Sequence, residues 1–200
     1  SVSKDKSPLS PVVFLCPTKL GYGYHYRTYN ENILSPIIRD RIREINTSTS
    51  NEILIYLPTY SIHNIIDIIK KIPDQMEWTI FTNESDSNYK IEGVNINSIS
   101  DDLFAKKIGS CYGIICAAGF SITSEAIFLG KPMLVIPVKA HIEQQFNAAA
   151  LEKEGVQVLK EFSLKYIDKI NEWINSPTAL HINYEDQSGE IVKKILTTNT

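Results

Sequence analysis

Two short stretches of the sequence concentrate the side chains that could do chemistry. The first, CAAGFSITSE (116–125), joins small residues to hydroxyls and one carboxylate. The second, PVKAHIEQQFN (137–147), carries a histidine, a carboxylate and several amides. A small-residue turn at a helix start suits phosphate groups, and a carboxylate beside an amide suits the hydroxyls of a sugar. Together the two stretches indicate a site for a ligand that has both phosphates and sugar hydroxyls.

The first stretch follows an apolar, strand-like run, YGIIC (112–116), and then begins a helix. A helix start at the end of a parallel strand presents unpaired N–H groups and the positive end of the helix dipole. Gly119 would let a ligand approach the backbone, and the hydroxyls of Ser121 and Thr123 would add donors. We expect Glu125, one turn further on, to be an exposed carboxylate that accepts hydrogen bonds from a ribose diol. The alternative is an ordinary capping box, in which these side chains only satisfy the helix start.

The second stretch follows the next apolar strand, PMLVIP (132–137), so its loop should lie beside the first at the same edge of the sheet. Glu143 and Gln144 can bind neighbouring hydroxyls of a sugar. His141 is predicted to contact the sugar or to cap the loop. Taken alone, this stretch is also typical of a surface helix start.

The elements around these stretches predict an α/β protein. Apolar runs that read as buried strands occur at 12–16, 52–57, 77–82, 112–116 and 132–137. Amphipathic segments alternate with them, which is typical of βαβ units and favours a Rossmann-like parallel sheet with helices on both faces. Ser35 followed by Pro36 predicts a helix over PIIRDRIREI (36–45), and IEGVNI (91–96) predicts one short strand.

The composition excludes several classes of protein. With 43% hydrophobic and 22% charged residues and a net charge of −3, the 200-residue chain can bury a core but has no basic run for nucleic acid. No apolar run reaches the roughly 18 residues of a membrane span. Cys16, Cys111 and Cys116 are odd in number and have no metal-ligand spacing, which favours a reducing, cytoplasmic compartment. We predict neither a metal nor a cofactor. The start without Met suggests a fragment or a processed product.

The stretch GFSITSEAIFLGKPMLVIPVKAHIEQQFNAAALEKEG (119–155) resembles the donor-binding half of GT-B glycosyltransferases. It is most similar to the C-terminal domain in the group of the bacterial lipid-linked N-acetylglucosaminyltransferase of peptidoglycan synthesis and its uncharacterised relatives. It is also similar to the signature of the nucleotide-diphosphate-sugar transferases of plants and animals. The likeness is strong over 112–155, moderate back to about residue 52, and weak before it. LSPIIRDRI (34–42) resembles the interdomain linker of the uncharacterised relatives.

The resemblance implies a role for each matching position. The diphosphate of a donor would be lined by Gly119, Phe120, Ser121 and Thr123. The ribose would be bound by Glu125, the transferred sugar by His141, Glu143 and Gln144, and the base by Ile99 and Phe104. The plant and animal enzymes have a histidine where this chain has Ala117, so the backbone and Ser121 must hold the phosphates here.

The resemblance also implies a function. The implied reaction transfers a sugar from a nucleotide-diphosphate-sugar to an unknown acceptor, and a UDP-sugar is the first candidate for the donor. The transfer would invert the anomeric centre and need no metal. In such enzymes an N-terminal domain supplies the acceptor site and the catalytic base. Residues 1–34 are then the linker or tail of that missing domain, and residues 35–200 are the nucleotide-sugar-binding domain. The missing half, a domain or a partner subunit, could also make peripheral membrane contact.

Two alternatives to this function stay open. The hydrolysing UDP-sugar 2-epimerases have the same fold. Those enzymes need additional carboxylates and an arginine near the sugar, and we do not identify these residues in the sequence. The chain could also be a non-catalytic subunit that binds a nucleotide-sugar.

Overall fold

The computed structural model describes residues 23–27, 33–73 and 76–198, and the predicted strand at 12–16 lies outside them. The strands are β1 (Gly23–Tyr24), β2 (Ile33–Leu34), β3 (Glu52–Tyr56), β4 (Glu77–Thr82), β5 (Tyr89–Ile91), β6 (Val94–Ser98), β7 (Gly113–Cys116), β8 (Met133–Val135) and β9 (Gln157–Val158). The helices are α1 (Asp40–Arg43), α2 (Ile62–Ile69), α3 (Asp101–Ser110), α4 (Phe120–Phe128), α5 (Ile142–Lys153), α6 (Ile167–Asn175) and α7 (Ser188–Thr198).

The chain divides into two compact units. The smaller unit comprises 1–37 and 184–200, and in it β1 pairs in parallel with β2. The hydroxyl of Tyr184 donates to the carbonyl of Tyr26 at 3.2 Å within this unit. The larger unit, 38–183, contains the sheet and both candidate stretches. The predicted division into a tail over 1–34 and a binding domain over 35–200 stays a prediction.

The larger unit is built on one seven-stranded sheet with the strand order β5-β6-β4-β3-β7-β8-β9. Every neighbouring pair is parallel except β5 with β6. In the centre, Leu54 lies opposite Thr79 of β4 and Ile114 of β7. The carboxyl ends of β3, β7 and β8 therefore open at the same edge, where open α/β sheets bind ligands.

Alternate residues of the strands pack against helices on opposite faces of the sheet. Ile80 of β4 belongs to the buried cluster that includes Ile65 and Ile66 of α2. Its neighbour Phe81 points the other way and meets Phe104 of α3 edge-on, with ring centroids 4.9 Å apart. Because both faces bury apolar side chains, the strands read as continuous apolar runs, and the predicted Rossmann-like α/β class is confirmed.

Two local predictions are wrong. The stretch 91–96 is not a single strand: it runs from the end of β5 through a turn at Glu92 and Gly93, which have φ of 52° and 88°, into the antiparallel β6. Two consecutive positive φ values suit the tight turn of a β-hairpin. The helix predicted over 36–45 begins only after Arg39, whose backbone is extended (φ −59°, ψ 141°), and it ends at Arg43. The extended Arg39 has side-chain partners on other elements, which are described below.

No helix among the residues described above is long and apolar enough to cross a bilayer.

The thiols of Cys111 and Cys116 are expected to be inert in the native protein. Both are buried, and loss of solvation raises the pKa of each to about 12, so almost no thiolate forms at neutral pH. Iodoacetamide at pH 8, followed by peptide mass spectrometry, should label both residues in urea and neither in the folded chain. Equal labelling rates in the two conditions would show that the sheet opens at β7. Cys16 lies outside the described residues.

Candidate functional site

A cleft of about 290 Å³ lies at the carboxyl edge of the sheet in the larger unit. Residues from β3, α3, α4 and the loops before α1 and α3 line it: Arg39, Tyr56, Ile99, Asp101, Phe104, Ser121, Ile122 and Glu125. Four of these are the residues that the sequence suggested for the base, the ribose and the diphosphate, namely Ile99, Phe104, Glu125 and Ser121. The structure thus brings together parts of the chain that are far apart in sequence.

The first turns of α4 line this cleft, and the helix starts without a side-chain cap. Its N-cap is Gly119, which has an ordinary φ of −69°, and the N–H of Thr123 is bonded to the carbonyl of Gly119. The capping box is therefore not formed, since a glycine has no side chain to bond and Glu125 does not reach back to it. The first N–H groups of an α-helix have no partner within the helix and are available to an anion.

The hydroxyl residues of this helix start differ in accessibility. Ser121 is exposed on the cleft. Thr123 has no exposed surface, and its hydroxyl donates to the carbonyls of Gly119 (2.8 Å) and Phe120 (3.1 Å). Phe120 is half-buried and does not line the cleft. In this conformation Thr123 supports the turn and leaves Ser121 as the hydroxyl that a ligand can reach.

The expectation that Glu125 is an exposed carboxylate is wrong. Glu125 is 3% exposed, and the guanidinium of Arg39 binds both of its oxygens, at 2.6 Å from Nε and 2.9 Å from Nη2. This bond to the Glu125 carboxylate is the main reason why the pKa of Arg39 is raised. Such bidentate pairs are among the strongest charged hydrogen bonds in proteins.

Sequence reasoning missed Arg39 because its partner lies 86 positions away. The similarity of LSPIIRDRI to an interdomain linker was the only signal near it. Arg39 also lies 3.3 Å from Asp101 at the start of α3, and Arg41 pairs with Asp101 and Asp102. Charged side chains thus tie the chain before and within α1 to α3 and α4.

Part of the cleft lining is apolar and aromatic. Ile99 is 40% exposed there, and the ring of Phe104 meets the ring of Tyr56 edge-on with centroids 6.1 Å apart. Tyr56 was also missed, although its place as the last residue of β3 puts it at the ligand edge of the sheet. A flat, apolar surface of this kind can hold a nucleobase by stacking and van der Waals contact.

The second stretch lies next to the first, as predicted. β7 and β8 are neighbours, and the buried amide of Asn147 on α5 donates to the carbonyl of Ala118 at 3.0 Å. The side chain of Gln144 accepts from the N–H of Val138, and Gln145 donates to the Val138 carbonyl, each at 3.0 Å. The two glutamines therefore hold the loop that leads into α5.

The three candidate sugar-binding residues do not line the 290 Å³ cleft. His141 is the N-cap of α5 and is exposed, and Glu143 and Gln144 are half-buried in its first turn. Two further clefts, of about 570 and 340 Å³, contain none of the predicted residues. Across the described parts of the chain, no group of three or more His, Cys, Asp or Glu could hold a metal ion.

The parallel sheet, the uncapped start of α4 and the cleft at the carboxyl edge are typical of α/β domains that bind a ligand at the ends of their strands. Comparison with protein families narrows this class. The family model described as Glycosyl transferase family 1 matches residues 11–175. The chain belongs to this family of glycosyltransferases.

Solved structures of glycosyltransferases are distantly similar to the chain. They include the spinosyn rhamnosyltransferase SpnG (18% identity, TM-score 0.49, covering 84% of this chain and 46% of that one). Another is SnogD from Streptomyces nogalater (15% identity, TM-score 0.45, covering 86% of this chain and 50% of that one). A third is VinC in complex with dTDP (13% identity, TM-score 0.45, covering 86% of this chain and 49% of that one). The chain spans about half the length of these proteins. Comparison with curated proteins finds no match.

Proposed function

We propose that this chain is the donor-binding part of a glycosyltransferase that uses a nucleotide-diphosphate-sugar, with a UDP-sugar as the first candidate. One observation carries the proposal. One cleft brings together an aromatic wall, a carboxylate and the start of a helix, which are groups that can bind the base, the ribose and the phosphates of a nucleotide. Membership of a glycosyltransferase family supports the same function.

The proposed placement assigns one part of the ligand to each part of the cleft. The base lies against Ile99 and Phe104, the ribose hydroxyls bind Glu125, and the diphosphate lies at Gly119 and Ser121 on the N-terminus of α4. Thr123 supports this turn, and Phe120 contributes its backbone N–H. The positive end of the helix dipole and the N–H groups of the first turn would stabilise the charge on the leaving diphosphate. This stabilisation supports a proposed transfer that needs no metal, and the resemblance to GT-B enzymes implies that it inverts the anomeric carbon.

The sugar is proposed to lie beyond the phosphates, at the start of α5. His141, Glu143 and Gln144 lie at the start of that helix. The hydrogen bond from Asn147 to the carbonyl of Ala118 holds α5 beside the turn that leads into α4. A carboxylate and an amide on one turn can bind two neighbouring hydroxyls of a hexose.

The acceptor and the catalytic base are proposed to belong to a second domain or partner chain. Proton transfer from the acceptor hydroxyl needs a group within hydrogen-bond reach, and none of the assigned cleft residues has that role. Residues 1–34 would connect the two halves. The resemblance to the lipid-linked transferases adds a cytoplasmic site of action, with peripheral membrane contact through the second half.

Titration calorimetry with UDP in the presence of EDTA tests the proposal. We expect binding without a divalent metal, and weaker binding of dUDP, which lacks one of the two ribose hydroxyls. A requirement for Mg²⁺ or Mn²⁺ would refute the metal-free site, and failure to bind UDP under any condition would refute the donor assignment. The non-catalytic alternative predicts binding but no sugar transfer when the second half is supplied.

Gly119→Ala is expected to lower the affinity for UDP about threefold to tenfold while leaving the fold intact. The added Cβ would meet only Ile122 Cγ2, at 3.6 Å, and the φ of −69° suits alanine. The methyl group would instead occupy the space through which a phosphate approaches the backbone. Calorimetry and thermal melting separate the two effects.

Gly130→Ala is the matched control for this variant. Gly130 has a φ of 64°, so the substitution should lower the melting temperature without changing the UDP affinity of the folded protein. Unchanged UDP affinity in the Gly119 variant would remove the diphosphate from the start of α4.

A further inference from the structure

The cleft that we propose for a nucleotide diphosphate has an unfavourable balance of charge. Its lining contains one cation, Arg39, and two carboxylates, Asp101 and Glu125. A diphosphate carries at least two negative charges and would be repelled by this set while Arg39 remains bound to the carboxylates. The helix start alone supplies only about half a unit of positive charge.

Glu125 is also closed to the ribose in this conformation. Its side chain is 4% exposed because the guanidinium of Arg39 lies over both oxygens. A ribose diol needs access to at least one of those oxygens, so Arg39 must move at least far enough to uncover one of them.

The Arg39 side chain is not enclosed by the protein. It is 40% exposed, and Arg39 precedes a helix of only four residues. Its third contact, with Asp101, joins it to a carboxylate that is 68% exposed at the mouth of the cleft. Ion pairs with such exposed groups are weak and break readily.

We propose that Arg39 exchanges partners when the nucleotide binds. The guanidinium leaves Glu125 for the diphosphate, and the freed Glu125 carboxylate accepts the ribose hydroxyls. Arginine suits this exchange because its planar fork binds carboxylate and phosphate with the same bidentate geometry. It remains paired with an anion in both states, so no bare charge is created. This inference rests on the proposed function, since it needs a nucleotide diphosphate in the cleft.

The test compares UDP with uridine, which has the base and ribose but no phosphate. In Arg39→Gln we expect the affinity for UDP to fall about tenfold to a hundredfold, as for a lost bidentate charged contact. The affinity for uridine should stay the same or rise, because Glu125 loses its competitor. UDP is measured by calorimetry with EDTA, and uridine by NMR titration. Arg39→Lys, which keeps the charge but loses the fork, should weaken UDP binding less and provides the test if the glutamine variant does not fold.

Arg41→Gln is the matched control, since Arg41 pairs with Asp101 and Asp102 but does not line the cleft. It should leave both affinities unchanged. Equal losses for UDP and uridine in the Arg39 variants would show that Arg39 only positions Glu125, and would overturn the exchange. Unchanged UDP affinity would overturn it as well. If the wild-type chain itself fails to bind UDP, the proposed function fails, and the inference fails with it.

Discussion

Glu125→Gln should weaken the binding of UDP about tenfold to a hundredfold and should also destabilise the free protein. The binding loss follows from replacing a charged acceptor of ribose hydroxyls, worth about 1.5–3 kcal/mol, by a neutral amide. The stability loss follows from the pair with Arg39, because the guanidinium keeps its position but loses its charged partner. Since Arg39 is half-exposed, we expect about 1–3 kcal/mol, below the 3–5 kcal/mol of a fully buried pair. Calorimetry gives the affinity, and urea unfolding gives the stability.

Glu52→Gln is the matched control for this variant. Glu52 is also a buried carboxylate in an ion pair, with Lys107, and it accepts from the hydroxyl of Thr79, each at 2.6 Å. It lies at the first position of β3, at the opposite end of the strand from the cleft. Its loss should cost similar stability and leave the UDP affinity of the folded protein unchanged. Equal affinity losses in both variants would mean that Glu125 acts only through the fold.

Gln144→Ala should lower the affinity or the transfer rate for a UDP-sugar about tenfold or more, and should leave the affinity for free UDP almost unchanged. The reason is the proposed position of the first turn of α5 beyond the phosphates, where the Gln144 amide can donate to a sugar hydroxyl. Its carbonyl already accepts from the N–H of Val138, so the amide hydrogens are the groups available to a ligand. Calorimetry with UDP and with the UDP-sugar on the same preparation makes the comparison.

Loss of the bond to Val138 could also disturb the loop before α5, and Gln145→Ala controls for that effect. Gln145 bonds the carbonyl of the same residue and lines the 570 Å³ cleft, which Gln144 does not line. We expect this variant to bind UDP and the UDP-sugar as the wild type does. If both glutamine variants lose the sugar equally, Gln144 only holds the loop. If Gln144→Ala loses UDP and UDP-sugar equally, it does not bind the sugar.

Local pattern was enough to predict the class of fold and the two stretches at the ligand edge. The runs at 52–57, 77–82, 112–116 and 132–137 are mostly apolar at consecutive positions because both faces of those strands are buried. Such runs alternating with amphipathic helices leave few arrangements other than a parallel sheet. Strand ends followed by Gly119 and by His141 then mark the carboxyl edge without any knowledge of tertiary contacts.

Only the tertiary structure decided how the candidate side chains are used. Glu125 could be identified from its stretch, but its burial and its pair with Arg39 depend on a contact across 86 positions that no local pattern encodes. Thr123 reads like Ser121 in the sequence, yet the rotation of α4 buries one and exposes the other. The late start of α1 was likewise not predictable from local pattern, because Ser35 and Pro36 favour a helix from residue 36 whereas Arg39 is extended in the structure. Periodicity therefore determined the sheet, and the packing of distant segments at its edge determined the charges and surfaces of the site.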